Sequence, residues 1–199
     1  MNPSEAEDAP SRSDQVKPWH FRLAAAALWC SLMGIALFTA PPGSPQTGEL
    51  IERLVTAKLE GQNLSLFALF NLMGVWPLAT AVALRTDPRW WKWPFLVLSF
   101  FLGAFALLPY LVLRPWLEPR REPSSFIGRL FSSRWVVRAL GLATVCFGAL
   151  FFLGGLGEFG RLFRTQQFPY VMSFDFLAFC GAALLLAAER GQLKSGSRG

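Results

Sequence analysis

The sequence predicts an all-α fold: a polytopic transmembrane helical bundle of about five spans, with one or two short interfacial helices. Three observations lead there. The 199 residues are 53% hydrophobic and only 16% charged, whereas roughly a quarter of residues are charged in ordinary soluble domains. The apolar residues collect into runs near or above the roughly 18 needed for a span, instead of recurring at helix or strand period. Lys and Arg gather at the ends of those runs, beside tryptophans, as at a membrane interface.

Residues 1–20 mix Ser, Pro, Glu, Asp and Gln without apolar periodicity and read as a disordered tail. Its acids Glu5, Glu7, Asp8 and Asp14 argue against an organelle transit peptide. The first expected span is 23–40, ended by Pro41 and Pro42. Phe38 and Ala40 before Pro41 do not make a small-residue cleavage site, so the helix reads as retained. In the following loop, Glu49 to Glu60 places Leu50, Ile51, Leu54, Val55 and Leu59 on one helical face and Glu52, Arg53 and Lys58 on the other. That amphipathic helix lies either in the interface or on its own bundle.

The second span, 64–84, contains Asn71 and Pro77, and Pro77 predicts a kink near Met73. A tight link from Arg85 to Trp93 holds three cations and three tryptophans, the composition of a headgroup-level turn. The third span is 94–113, the fourth 135–156 and the fifth 170–188, with Phe126 to Phe131 as a second interfacial piece. Residues 21–189 thus form the helical domain, and 190–199 a disordered tail. Five spans put the termini on opposite sides. The charge distribution of that topology leans weakly toward an outside N-terminus, while the long, weakly basic loop 41–63 leans the other way, so orientation stays open.

Ionisable groups inside a span are costly and mark candidate sites. Arg138 and Asp175 sit near the starts of successive antiparallel spans, so they approach opposite faces and a relay between them is disfavoured. Glu118, Glu122 and Glu189 share the side of Arg138; Arg85, Arg89, Lys92, Arg161 and Arg164 share that of Asp175. Both are expected about a turn from the interface, orienting their helices by snorkelling or ion pairing. Asn71, deeper, either makes an interhelical hydrogen bond or lines a pathway. Gly141, Gly148 and Gly155 repeat every seven positions and form a stripe for close helix packing, inside the bundle or against a partner.

Several function classes lose support. The net charge of +6 sits at run ends, so no nucleic-acid partner is expected. Cys30, Cys146 and Cys180 lie inside apolar runs and imply neither disulfides nor a metal knuckle. The single histidine, His20, leaves no His cluster or Ser-His-Asp set, and no phosphate loop or nucleophile motif occurs. No enzyme activity, cofactor or metal is therefore expected.

Two stretches, Leu66 to Pro77 (LFALFNLMGVWP) and Trp93 to Arg114 (WPFLVLSFFLGAFALLPYLVLR), resemble a family of uncharacterised multi-pass membrane proteins of cyanobacteria and chloroplasts. Asn71, Trp76, Gly103, Pro109 and Tyr110 carry the likeness. The resemblance implies a cell inner (plasma) or thylakoid membrane and assigns no activity. Together these readings favour an integral membrane protein whose partners are the bilayer and a larger membrane complex that it assembles or stabilises. A transporter or channel component built on Asn71, the Pro77 kink and Asp175 is the competing reading.

Overall fold

The computed structural model describes residues 18–58, 63–116 and 133–196, and every regular element among them is helical. The tail 1–17, the second interfacial piece Phe126 to Phe131, and Glu118 and Glu122 lie outside the described residues. Helix α1, Pro18–Gly34, opens on a proline, which suits a first turn whose amide would be unpaired anyway. A π-helical turn, Ile35–Thr39, extends it to the Pro41–Pro42 stop. Thr39 Oγ1 then shares a 2.9 Å hydrogen bond with the Tyr170 hydroxyl.

The amphipathic helix α2, Thr47–Val55, buries Leu54 against the bundle. Helix α3, Leu64–Ala83, is capped by Asn63, whose side-chain Oδ1 accepts from the Leu66 amide at 2.9 Å. It runs through Pro77 without interruption. Helices α4, Lys92–Leu102, and α5, Ala104–Leu113, meet at Gly103. Helix α6, Arg134–Leu153, is followed by a short amphipathic α7, Leu156–Thr165, and by α8, Gln167–Gly196. Among the described residues, four helices are long and apolar enough to cross a membrane: Pro18–Thr39, Leu64–Ala83, Arg134–Leu153 and Gln167–Gln192.

The third apolar run departs from expectation. A single helix would separate Trp91 from Tyr110 by roughly 28 Å at 1.5 Å per residue. Their ring centroids lie 4.9 Å apart, and Phe95 lies 5.8 Å from Tyr110. The run is therefore a hairpin, α4 going in and α5 coming back, with Gly103 as its tip. Gly103 has φ 60° and ψ −139°, a conformation that only glycine adopts without strain.

This hairpin changes the parity of the chain. At one end, called the near end, Phe21 of α1 stacks on Trp116 at 4.9 Å, Lys92 Nζ donates to the Leu84 carbonyl at 2.9 Å, and Arg190 donates to the Ala83 carbonyl at 2.7 Å. At the far end, Asn63 Nδ2 donates to the Gly155 carbonyl at 2.9 Å and Ser65 Oγ to the Phe151 carbonyl at 2.6 Å. Pro18 and Arg190 consequently lie at the same end, where five end-to-end helices would have parted them.

The core is centred on α5. Its sequence is apolar all round, so it suits burial on every side, and Leu107, Leu108, Tyr110 and Leu111 are inaccessible to solvent. Helices α1, α4 and α8 pack against it, and Ala25 of α1 and Ala182 of α8 are buried in the same cluster. Trp29 of α1 reaches across to donate to the Phe105 carbonyl at 3.3 Å.

Candidate functional site

Among the described residues, two buried polar arrangements and one apolar cavity bear on function. The first is the hairpin tip. Asp175 lies eight residues into α8, about 12 Å along it, and is only 5% exposed. Its Oδ1 accepts from the Ala104 amide at 2.7 Å, with the Phe105 amide as a second backbone donor. A helix start leaves its first amides unpaired and carries positive dipole charge, so a carboxylate there satisfies both. Gly103 makes room for it, since a Cβ at that position would overlap the Asp175 carboxylate. Ser99 Oγ, buried beside the tip, donates to the Leu96 carbonyl at 2.7 Å.

The second place is a buried ionic network at the near end. Arg114 pairs with Glu189 of α8 and stands 3.7 Å from Asp87. Asp87 also accepts from the Tyr110 hydroxyl at 2.6 Å and pairs with Arg89 at 3.1 Å. Lys92 Nζ donates to the Asp87 carbonyl at 2.5 Å. The Arg114 guanidinium stacks over the Trp116 ring at 4.3 Å. The side chains of Asp87, Arg114 and Glu189 are each less than 10% exposed, so removing one charge would leave the others short of a partner in a desolvated site.

The third feature is a cavity of about 610 Å³ bounded by α3, α6, α7 and α8. Helix α6 leans on α3, with Val136, Leu140, Ala143, Phe147 and Leu150, alternately four and three apart, half-buried along it, and leaves a gap toward α8. Outside the bundle core, on α7, Arg161 grips Glu158 at 2.5 Å, and that hydrogen bond holds the Glu158 carboxyl below its usual range. The pair thus favours the fold above the ordinary carboxylate range and loses that contribution as pH falls.

The residues singled out by sequence fall as follows. Asp175 is deep, not a turn from the end, and its partners are backbone amides. Arg85, Arg89 and Lys92, placed on its side by a five-span topology, stand at the near end once α4 and α5 fold back. Asn71 Nδ2 donates to the Phe67 carbonyl of its own helix at 2.9 Å, so it bridges no neighbour by that bond. Arg138 is exposed, 5.5 Å over the Trp135 ring. A Cβ at Gly141 or Gly148 would meet nothing within 4 Å, so among the described residues none packs against them. Gly155 instead turns the chain from α6 into α7 at φ 99°.

Asn71 and Asp175 form no shared site. Sequence reasoning missed the Asp87–Arg114–Glu189 network because each member flanks a different apolar run and looks like an ordinary end charge. Among the described residues no group of three His, Cys, Asp or Glu side chains is placed to hold a metal. Comparison with protein-family models, curated proteins and solved structures finds no match.

Proposed function

We propose that this chain is an integral membrane protein with four crossing helices and one half-depth hairpin, acting as a structural or accessory component packed in a larger membrane complex. The observation that carries the reading is α6. It is long and apolar enough to span, yet none of its residues is buried, and it touches the remainder along one seam. Leu142, Val145, Phe152 and Leu153 stay exposed along it, while Gly141 permits close approach.

Charge placement supports the bilayer setting. Of nineteen Lys and Arg residues, only Arg53, Lys58, Arg161 and Arg164 fall on far-end segments; the others belong by sequence to segments that begin or end at the near end. With the run 94–113 folded back, the positive-inside rule assigns the near end to the cytoplasmic or equivalent side. Two amphipathic helices, α2 and α7, then occupy the opposite surface. The likeness to the cyanobacterial and chloroplast family makes an inner or thylakoid membrane the proposed location.

The transporter reading draws on Asp175 at a half-helix start, a recurrent arrangement at ion and substrate sites. It draws less support from the other polar groups: Asn71, Ser99 and Thr80 each donate to a carbonyl of their own helix, and only Ser99 shares a cavity, of about 260 Å³, with Asp175. A photo-crosslinker placed at Leu142 or Val145 in native membranes tests the accessory role. A discrete adduct with a second protein species is expected; lipid adducts alone, with a monomer in mild detergent, contradict the role.

A further inference from the structure

The cavity between α6 and α8 is used by none of the arrangements above. Leu69 and Leu72 of α3 form its floor, and Phe159 and Phe163 of α7 roof it at the far end. Its two lining hydroxyls are already committed: Thr144 Oγ1 donates to the Leu140 carbonyl at 2.8 Å and Ser173 Oγ to the Pro169 carbonyl at 2.7 Å. The walls thus offer an occupant apolar contact and leave those hydroxyls spoken for. The volume, about 610 Å³, falls in the range of small-molecule sites.

Along α6 the lining runs from Thr144 to Phe152, about 12 Å at 1.5 Å per residue. That fits within one leaflet of a hydrocarbon core roughly 30 Å thick. The charged residue of the lining is Arg164, exposed on the last turn of α7, with no ion-pair partner among the described residues. Its neighbour Arg161 is held by Glu158. A guanidinium at that level is matched to phosphate oxygens.

We propose that this cavity binds one anionic glycerophospholipid, an acyl chain lying between α6 and α8 and the headgroup phosphate held by Arg164. A helix of a second protein fits less well. With side chains it is about 10–12 Å across, and α7 closes the far end where such a helix would have to continue. An acyl chain ends where its headgroup begins and needs no exit.

The proposal rests on the bilayer placement above, and the two fail separately. A chain that stays dissolved without detergent loses the placement before any lipid is added. For a chain that requires detergent, native mass spectrometry of the purified protein with phosphatidylglycerol or phosphatidylcholine of identical acyl chains tests the site.

One retained phosphatidylglycerol is expected, with phosphatidylcholine held roughly fivefold more weakly, the worth of one basic residue beside anionic lipid. Gly148→Phe should abolish retention while the lipid-free melting temperature holds, because its Cβ meets nothing within 4 Å and the ring has the cavity to enter. Arg164→Gln should still bind the chain but lose the headgroup preference. Equal retention of both lipids by the native protein, no retained lipid, or undiminished binding by Gly148→Phe overturns the proposal. Should Gly148→Phe not fold, an unchanged headgroup preference in Arg164→Gln overturns it independently.

Discussion

At the residue scale, Gly103 and Asp175 act as one unit. The first supplies a backbone conformation closed to other residues and the space above it; the second fills that space with the acceptor that the first amides of α5 lack. Gly103→Ala combines left-handed strain of about 1–3 kcal/mol with displacement of the carboxylate, and a lower melting temperature in detergent is the expected readout. Asp175→Asn keeps an acceptor and should cost much less than Asp175→Ala, which leaves a buried amide unpaired at about 1–3 kcal/mol. A transport role would instead make both variants equally inactive while leaving them equally stable. In the near-end network, Arg114→Leu removes the cation that pairs with Glu189 and faces Asp87, and should lower the melting temperature in thermal unfolding by more than the same change at exposed Arg138.

At the element scale, two glycines on adjoining turns of the same connection separate packing from open space. Gly154 presses against the Leu64–Ser65 backbone, and Gly148 faces a void. Gly154→Leu should prevent α6 from docking on α3 and give misfolded, protease-sensitive material, whereas Gly148→Leu should fold normally in the same assay. The helices themselves were largely legible in sequence. Apolar runs marked α1, α3, α6 and α8, the Pro41–Pro42 pair marked an end, and the amphipathic pattern Glu49 to Glu60 overlapped α2, which starts two residues earlier at Thr47 and ends at Val55. The hairpin was not legible. Lys92 to Leu113 has the length, apolarity and flanking cations of a span, and Gly103 is an ordinary residue in such a helix; only the partner carboxylate, seventy-odd positions away, makes it a turn. Asp175 was misplaced for the related reason that α8 begins before the apolar run does.

For the whole molecule, folding one run back has consequences at both ends. It places the N- and C-terminal helical segments together, moves the connection carrying α7 to the opposite end from the Arg85–Trp93 link, and gathers Asp87, Arg114 and Glu189 into one buried network. It also turns a nearly balanced charge distribution into a strongly one-sided one, a property of topology that no single segment displays. The direct measurement is protease protection of a tag at each terminus in sealed membrane vesicles of known orientation. This account predicts that both tags are cleaved, or both protected, together, with the shared side being the cytoplasmic one. Tags on opposite faces would contradict the hairpin and restore a fifth crossing.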